Sequence, residues 1–266
     1  MESTPMATFP TADNTVYETL SDSWWDEHGA LNLLRTTVNP WRVPYFTKLL
    51  KQHTSTHQPP GLLDVGCGGG LLAEEFARLN CAVIGIDPSE SSLRAARAHA
   101  TQNGLHIDYR CAFGNALPFA DATFDVASCC DVLEHIENWD ATIAEIARVL
   151  KPGGLFLFDT INRTAYSWLV NILIAQDLPS TNFLPKNLHV WNMFIKPKEL
   201  KASMNQHGMT MYDLVGASLK GNPLNALKAI RQFKQGNINA QEVGKIAALH
   251  PSRNIYGSYM GYAIKS

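Results

Sequence analysis

Nine consecutive residues, Leu62-Leu63-Asp64-Val65-Gly66-Cys67-Gly68-Gly69-Gly70, constrain this chain more than any others. Leu62, Leu63 and Val65 read as a short buried strand, and Leu71 to Leu79 has the look of a helix. Four glycines in the five positions between them make a strand–loop–helix unit whose backbone can take positive φ and approach a ligand closely. The helix beyond offers unpaired N–H groups at its start. A tight turn needs only one or two glycines, so the loop reads as a ligand cradle. A side chain at Gly68 is expected to lie where the ligand must pass.

The spacing narrows the ligand. A dinucleotide fingerprint requires G-x-G-x-x-G, and counting from Gly66 and Gly68 puts Leu71 at the third position. The pattern here is G-x-G-x-G, with Asp64 just before it. A second strand, Ala82 to Asp87, ends in a carboxylate placed to accept both hydroxyls of a ribose. Asp64, Gly66, Gly68, Gly70 and Asp87 together resemble the cofactor site of class I S-adenosylmethionine-dependent methyltransferases. The resemblance implies S-adenosylmethionine as cofactor and a Rossmann-like, seven-stranded mixed sheet with helices on both faces and one antiparallel strand near an edge.

The 266 residues, 45% hydrophobic, suffice for one large α/β domain with a cap. A net charge of −2 gives no footprint for nucleic acid, and no Asn/Asp-Pro-Pro-Tyr/Phe tetrad follows the fourth strand. The five cysteines form no CxxC pair and read as reduced, buried thiols of a cytoplasmic protein. No signal peptide is read at the N-terminus, and no apolar run reaches the roughly 20 residues that span a bilayer.

Residues 1–15 read as a flexible tail and residues 16–266 as the methyltransferase domain, with Val16 to Asp26 an aromatic-faced helix placed to close over the site. Arg42, after Asn39-Pro40-Trp41, is either a solvated charge or a partner for the carboxylate end of the cofactor. A helix opened by Pro88 and Ser89 leads to a third strand at His106 to Cys111. Asn115 beyond it is either part of a plain turn or an acceptor for the adenine amine. The fourth strand, Phe124 to Cys130, ends with Cys130 beside the cofactor and the transferred methyl. If the turn that follows is helical, Asp131, Glu134 and His135 share one face. A cap insertion is expected at about 162–194, and the connection at about 221–253 is longer than such folds need.

Ser23-Trp24-Trp25-Asp26, Asn39-Pro40-Trp41-Arg42, Leu133-Glu134-His135, Lys151-Pro152-Gly153-Gly154, Ile161-Asn162-Arg163-Thr164 and Phe194-Ile195-Lys196-Pro197 resemble the ubiquinone-biosynthesis O-methyltransferase family. In that family the arginine after Asn-Pro binds the cofactor, which implies this role for Arg42. It also implies that Asp131, Glu134 and His135 ligate a divalent cation, Mg²⁺ or else Zn²⁺ or Mn²⁺, that orients a catechol-like acceptor. The family usually has glutamate at the position of Asp131.

His135 is the candidate general base, with a structural helix-capping role as the plain alternative. The expected reaction is O-methylation of a phenol or quinol, such as a polyprenylated ubiquinone precursor. The alternative is methylation of oxygen, nitrogen or carbon on another small metabolite. Trp168, Leu169, Ile172 and Leu173 make an apolar helical face suited to an anionic membrane surface or to packing on the enzyme body. The resemblance implies the former, at the inner face of the membrane.

Overall fold

A computed structural model describes residues 12, 15–54 and 58–266, so the expected tail at 1–15 lies almost wholly outside the described residues. Eight strands run β1 Gly61–Val65, β2 Ala82–Asp87, β3 Asp108–Cys111, β4 Phe124–Cys130, β5 Leu150–Ile161, β6 Met209–Leu219, β7 Leu249–Ser252 and β8 Ser258–Lys265. They form one sheet in the order β3-β2-β1-β4-β5-β8-β6-β7. The first five are mutually parallel, whereas β8 runs antiparallel to both β5 and β6. β1 pairs with β2 on one side and β4 on the other, so the strand order reverses there and leaves a crevice at the strands' carboxyl ends.

The helices are α1 Val16–Thr19, α2 Asn39–His53, α3 Ala73–Arg78, α4 Glu90–Gln102, α5 Trp139–Val149, α6 Ala165–Ser167, α7 Pro197–Gln206, α8 Pro223–Lys234 and α9 Ala240–Ile246. Alternation along the central strands supplies two cores. Leu63, Val65, Ala127, Phe156 and Phe158 pack against Ile143 and Ile146 of α5 and Leu200 of α7. Leu62, Val126, Leu155 and Leu157 face the other way, onto Phe46 of α2, Phe76 of α3 and Leu93 of α4. A period of two thus covers both faces of the sheet.

The sheet has eight strands where seven were expected, because the long connection contributes β7, paired antiparallel with β6. Asn222 caps α8 through the Leu224 N–H, Gly236 at φ +72° leaves α8, and Asn239 opens α9 with a capping box to Glu242. The aromatic helix expected over Val16 to Asp26 is broken into α1 and a 3₁₀ turn at Ser21–Trp24. In the cap, Trp168–Asp177 winds as a π-helix. Among the described residues, no helix is long and apolar enough to cross a membrane.

Candidate active site

The loop after β1 turns on three glycines with positive φ: Gly66 at +74°, Gly68 at +50° and Gly70 at +82°. A Cβ at Gly66 would lie 2.3 Å from the Val132 side chain, and one at Gly70 2.3 Å from the Tyr109 hydroxyl. At Gly68 it would stand 2.5 Å from the Trp24 ring. The expected obstacle to a side chain there was a ligand; the structure places Trp24 against it. Trp24 is held by donation from its Nε1 to Ser92 Oγ at 3.0 Å, so the N-terminal segment roofs the loop.

Asp87 closes the loop from β2. Its Oδ2 accepts from the Gly68 N–H at 2.9 Å and its Oδ1 from the Ser89 N–H at 2.8 Å. Burial raises its pKa despite these bonds. Each oxygen retains lone pairs for a diol. Asp64, at the end of β1, accepts from Ser128 Oγ at 2.6 Å through Oδ1, while its buried Oδ2 has no hydrogen-bond partner among the described residues. Burial pushes Asp64 up to about 6.

Arg42 of α2 is buried in a carboxylate cage that the sequence only half disclosed. Its Nη1 donates to Asp131 at 2.5 Å and to Asp159 at 2.8 Å, and its Nε to Asn39 at 2.8 Å. These bonds use three of the five guanidinium donors. Asp159, at the carboxyl end of β5, also accepts from the Asp131 N–H at 2.8 Å. It was missed in the sequence, although its place on the ligand-bearing edge of the sheet is a signal for it.

The shared face expected of Asp131, Glu134 and His135 does not form. Asp131 takes φ +55°, outside the helical region, and the turn at Leu133–His135 is a single 3₁₀ turn. Asp131 is committed to Arg42, and Glu134 points into the protein, where its Oε2 accepts from Thr160 at 2.7 Å. Burial and the Asp131 charge raise the pKa of Glu134. Among the described residues, no group of three His, Cys, Asp or Glu side chains is arranged to hold a metal ion. The implied divalent-cation site does not fit this donor arrangement.

His135 faces the crevice. Tyr17 of α1 brings its hydroxyl to 3.4 Å from His135 Nε2, and its ring stacks on Trp24. On the other side lies His189, its ring centroid 5.0 Å from that of His135. Burial pushes His135 down to about 4, against the pull of Asp131, so the ring is neutral near pH 7. Tyr17 belongs to the aromatic face expected to close over the site, whereas His189 was not singled out, because a lone histidine in a loop carries no spacing signal.

One cavity of about 880 Å³ joins these parts. Arg42, Asp64, Gly66, Gly68, Asp87, Asn115, Cys130, Asp131 and His135 all line it, Asn115 from an exposed position. Gly70 and Glu134 do not. The residues present fit S-adenosylmethionine: a glycine loop on the cavity wall, a carboxylate at the tip of β2, and a buried aspartate oxygen with no partner among the described residues.

Residues 63–158 match the family model described as Methyltransferase domain. Among solved structures, magnesium protoporphyrin IX methyltransferase from Synechocystis PCC 6803, solved with bound SAH, superposes with a TM-score of 0.62 at 16% identity, covering 95% of each chain. The 4+2 cyclase SpnF gives a TM-score of 0.60 at 20% identity, covering 99% of each chain. Likeness at that level establishes the fold alone. Fold, site and family model together define a class I S-adenosylmethionine-dependent methyltransferase.

Sequence relatives resolve the class further. The ubiquinone biosynthesis O-methyltransferase of Roseobacter denitrificans is 37% identical over 219 residues, 80% of this chain and 87% of that protein. Its counterpart from Hahella chejuensis is 35% identical over 237 residues, 88% and 92% of the two chains. The chain belongs to the ubiquinone biosynthesis O-methyltransferase family.

Proposed function

We propose that this chain methylates a ring hydroxyl of a phenol or quinol, of the kind carried by a polyprenylated ubiquinone precursor, with His135 as general base. The observation that carries the reading is the single cavity running from the glycine loop and Asp87 to the His135 imidazole. Tyr17 supports it, because a phenolic oxygen already stands 3.4 Å from His135 Nε2. The names of the relatives point to the same chemistry.

When bound, the cofactor supplies a methyl on a sulfonium, activated for in-line displacement. In this reading Asp87 accepts from the ribose hydroxyls, Asn115 and Cys130 contact the cofactor, and the free oxygen of Asp64 faces its ammonium group. The remaining Arg42 donors serve its carboxylate. A phenol of pKa about 10 must shed its proton as the carbon–oxygen bond forms, and neutral His135 receives it. The protein's remaining task is to hold the acceptor oxygen about 3 Å from the methyl, in line with the sulfur.

The cap adds a membrane element to the proposal. Trp168 and Leu169 are each 43% exposed, and Tyr166 beside them is 55% exposed. Exposed aromatic and aliphatic residues next to a site for a membrane-borne substrate suit peripheral docking at the inner face of the membrane. The deciding experiment incubates the protein with cofactor and a panel of phenols, quinols, amines and carbon acids, and reads products by mass spectrometry. The expected product is a phenol methyl ether that His135→Ala does not form. Methylation confined to amines or carbon would refute the reading.

A further inference from the structure

We propose that His189 is a second acceptor-binding residue, whose imidazole hydrogen-bonds the ring oxygen adjacent to the hydroxyl that His135 deprotonates. This rests on the phenol O-methyltransferase reading and assigns a residue to the neighbouring oxygen.

The two imidazoles line the same cavity, with centroids 5.0 Å apart and planes inclined by 33°. Hydrogen bonds span about 2.7–3.2 Å, so nitrogens on two rings at this separation can each reach one of two oxygens on neighbouring ring carbons. The ring of His189 otherwise meets Phe194, edge to face at 5.9 Å. Its Nδ1 is shut off from solvent and has no hydrogen-bond partner among the described residues. With Nδ1 sealed in this way, Nε2 is the ring nitrogen left to meet an acceptor in the cavity. Burial and the neighbouring His135 keep the ring uncharged, so it offers one donor and one acceptor.

The fold also fixes where this ring stands. Gln176, 2% exposed at the end of the π-wound cap helix, engages the backbone of residue 189 through both ends of its amide. Its Oε1 accepts from the His189 N–H, and its Nε2 donates to the His189 carbonyl at 3.1 Å. Leu188 and Val190 on either side are buried at 3% and 8%. A loop residue clamped at both backbone groups, with a polar ring turned to the cavity, is built to place that ring.

The test compares a catechol with a monophenol carrying the same alkyl chain, in wild type and in His189→Phe, which keeps the ring's packing and removes its nitrogens. Steady-state kinetics, the position of the new methyl ether on the unsymmetrical catechol, cofactor affinity and thermal midpoint are measured. The expected result is a KM for the catechol raised about tenfold, the equivalent of one net hydrogen bond, and a loss of regioselectivity. The monophenol KM and cofactor affinity stay at wild-type values. Should His189→Phe not fold, His189→Leu carries the same comparison. Equal losses on both acceptors, or no loss on either, overturn the inference while the phenol reading stands. A wild-type enzyme inactive on both acceptors overturns the phenol reading, and this assignment falls with it.

Discussion

Replacing Arg42 by methionine isolates the most consequential buried interaction near the site. The change keeps much of the side chain's length and removes the charge that Asp131 and Asp159 share. Breaking a buried ion pair from one side costs about 3–5 kcal/mol, because the partner is left charged and unpaired. The two aspartates are not equally trapped: the Asp131 side chain is 29% exposed and can rehydrate, whereas that of Asp159 is 2% exposed. Asp159 also keeps the Asp131 N–H. These facts favour the lower end, about 3 kcal/mol. For a chain of this size that is a fall in thermal midpoint of about 6–12 °C. The pH dependence tests the cause. Burial and the Asp131 charge hold the Asp159 carboxyl above the ordinary range, with Arg42 pulling it down. Without Arg42 it rises further, so the native state takes up a proton at a pH where the unfolded chain, with an aspartate pKa of about 3.9, has not. Native stability relative to wild type therefore recovers as pH falls, and the deficit measured by calorimetry at about pH 7.5 shrinks at about pH 5.5. Adding Asp159→Asn to Arg42→Met should recover part of the loss near neutrality. A midpoint within about 2 °C of wild type, or an equal deficit at both pH values, would refute the account of a shared buried charge.

On the proposed reading, in which ionised Asp64 receives the cofactor's ammonium, titration calorimetry should show cofactor affinity falling as pH drops below about 6, and Asp64→Asn should be weaker but flat across that range. Because the Asp131, Glu134 and His135 donors do not converge, methyl transfer should survive exhaustive EDTA while His135→Ala lowers kcat at least about a hundredfold with little change in cofactor affinity; activity lost to EDTA and restored by Mg²⁺ would overturn that. Leu169→Glu combined with Leu173→Glu should abolish co-sedimentation with anionic vesicles at an unchanged thermal midpoint, whereas a collapsed midpoint would make this face part of the core.

The parts legible in the sequence were those with a period or a fixed spacing. The short apolar runs and the acids at the tips of β1 and β2 announced the first strands and the cofactor edge, the mixed sheet followed from the family resemblance, and β2 and β4 fall at the expected residues. What escaped depends on contacts between distant segments. Nothing local to Asp159 marks it as the partner of Arg42, 117 residues away. The failed face of Asp131, Glu134 and His135 has a local cause: at φ +55° Asp131 leaves the helical path on which an i, i+3, i+4 argument depends. Gly70 matched the glycine motif, but its want of a side chain answers to Tyr109 rather than to the cavity.

The connection at 221–253, which the sequence marked only as too long, changes what encloses the site. The Ala240 N–H donates to the Glu27 carbonyl at 2.7 Å, and a Cβ at Gly244 would stand 2.3 Å from the Thr36 carbonyl oxygen. Helix α9 therefore lies backbone to backbone against the N-terminal segment whose Trp24 covers Gly68 and Gly69. Trp25 adds a bond from its Nε1 to the Gly69 carbonyl at 2.8 Å. The roof of the glycine loop is thus braced from behind by an element that the parallel sheet itself does not require. The same element lends Ile230, Val243 and Ala247 to the cavity wall, facing Leu33 and Phe183. Polar groups gather at the end formed by β1, β2 and β4, and the end walled by α8 and α9 is apolar. On the proposed reading, an acceptor with its hydroxyl beside His135 would have its polar part held at the sheet edge and its remainder against this connection. Relatives that share the sheet edge but differ in this connection should therefore share the chemistry and differ in the acceptor they admit.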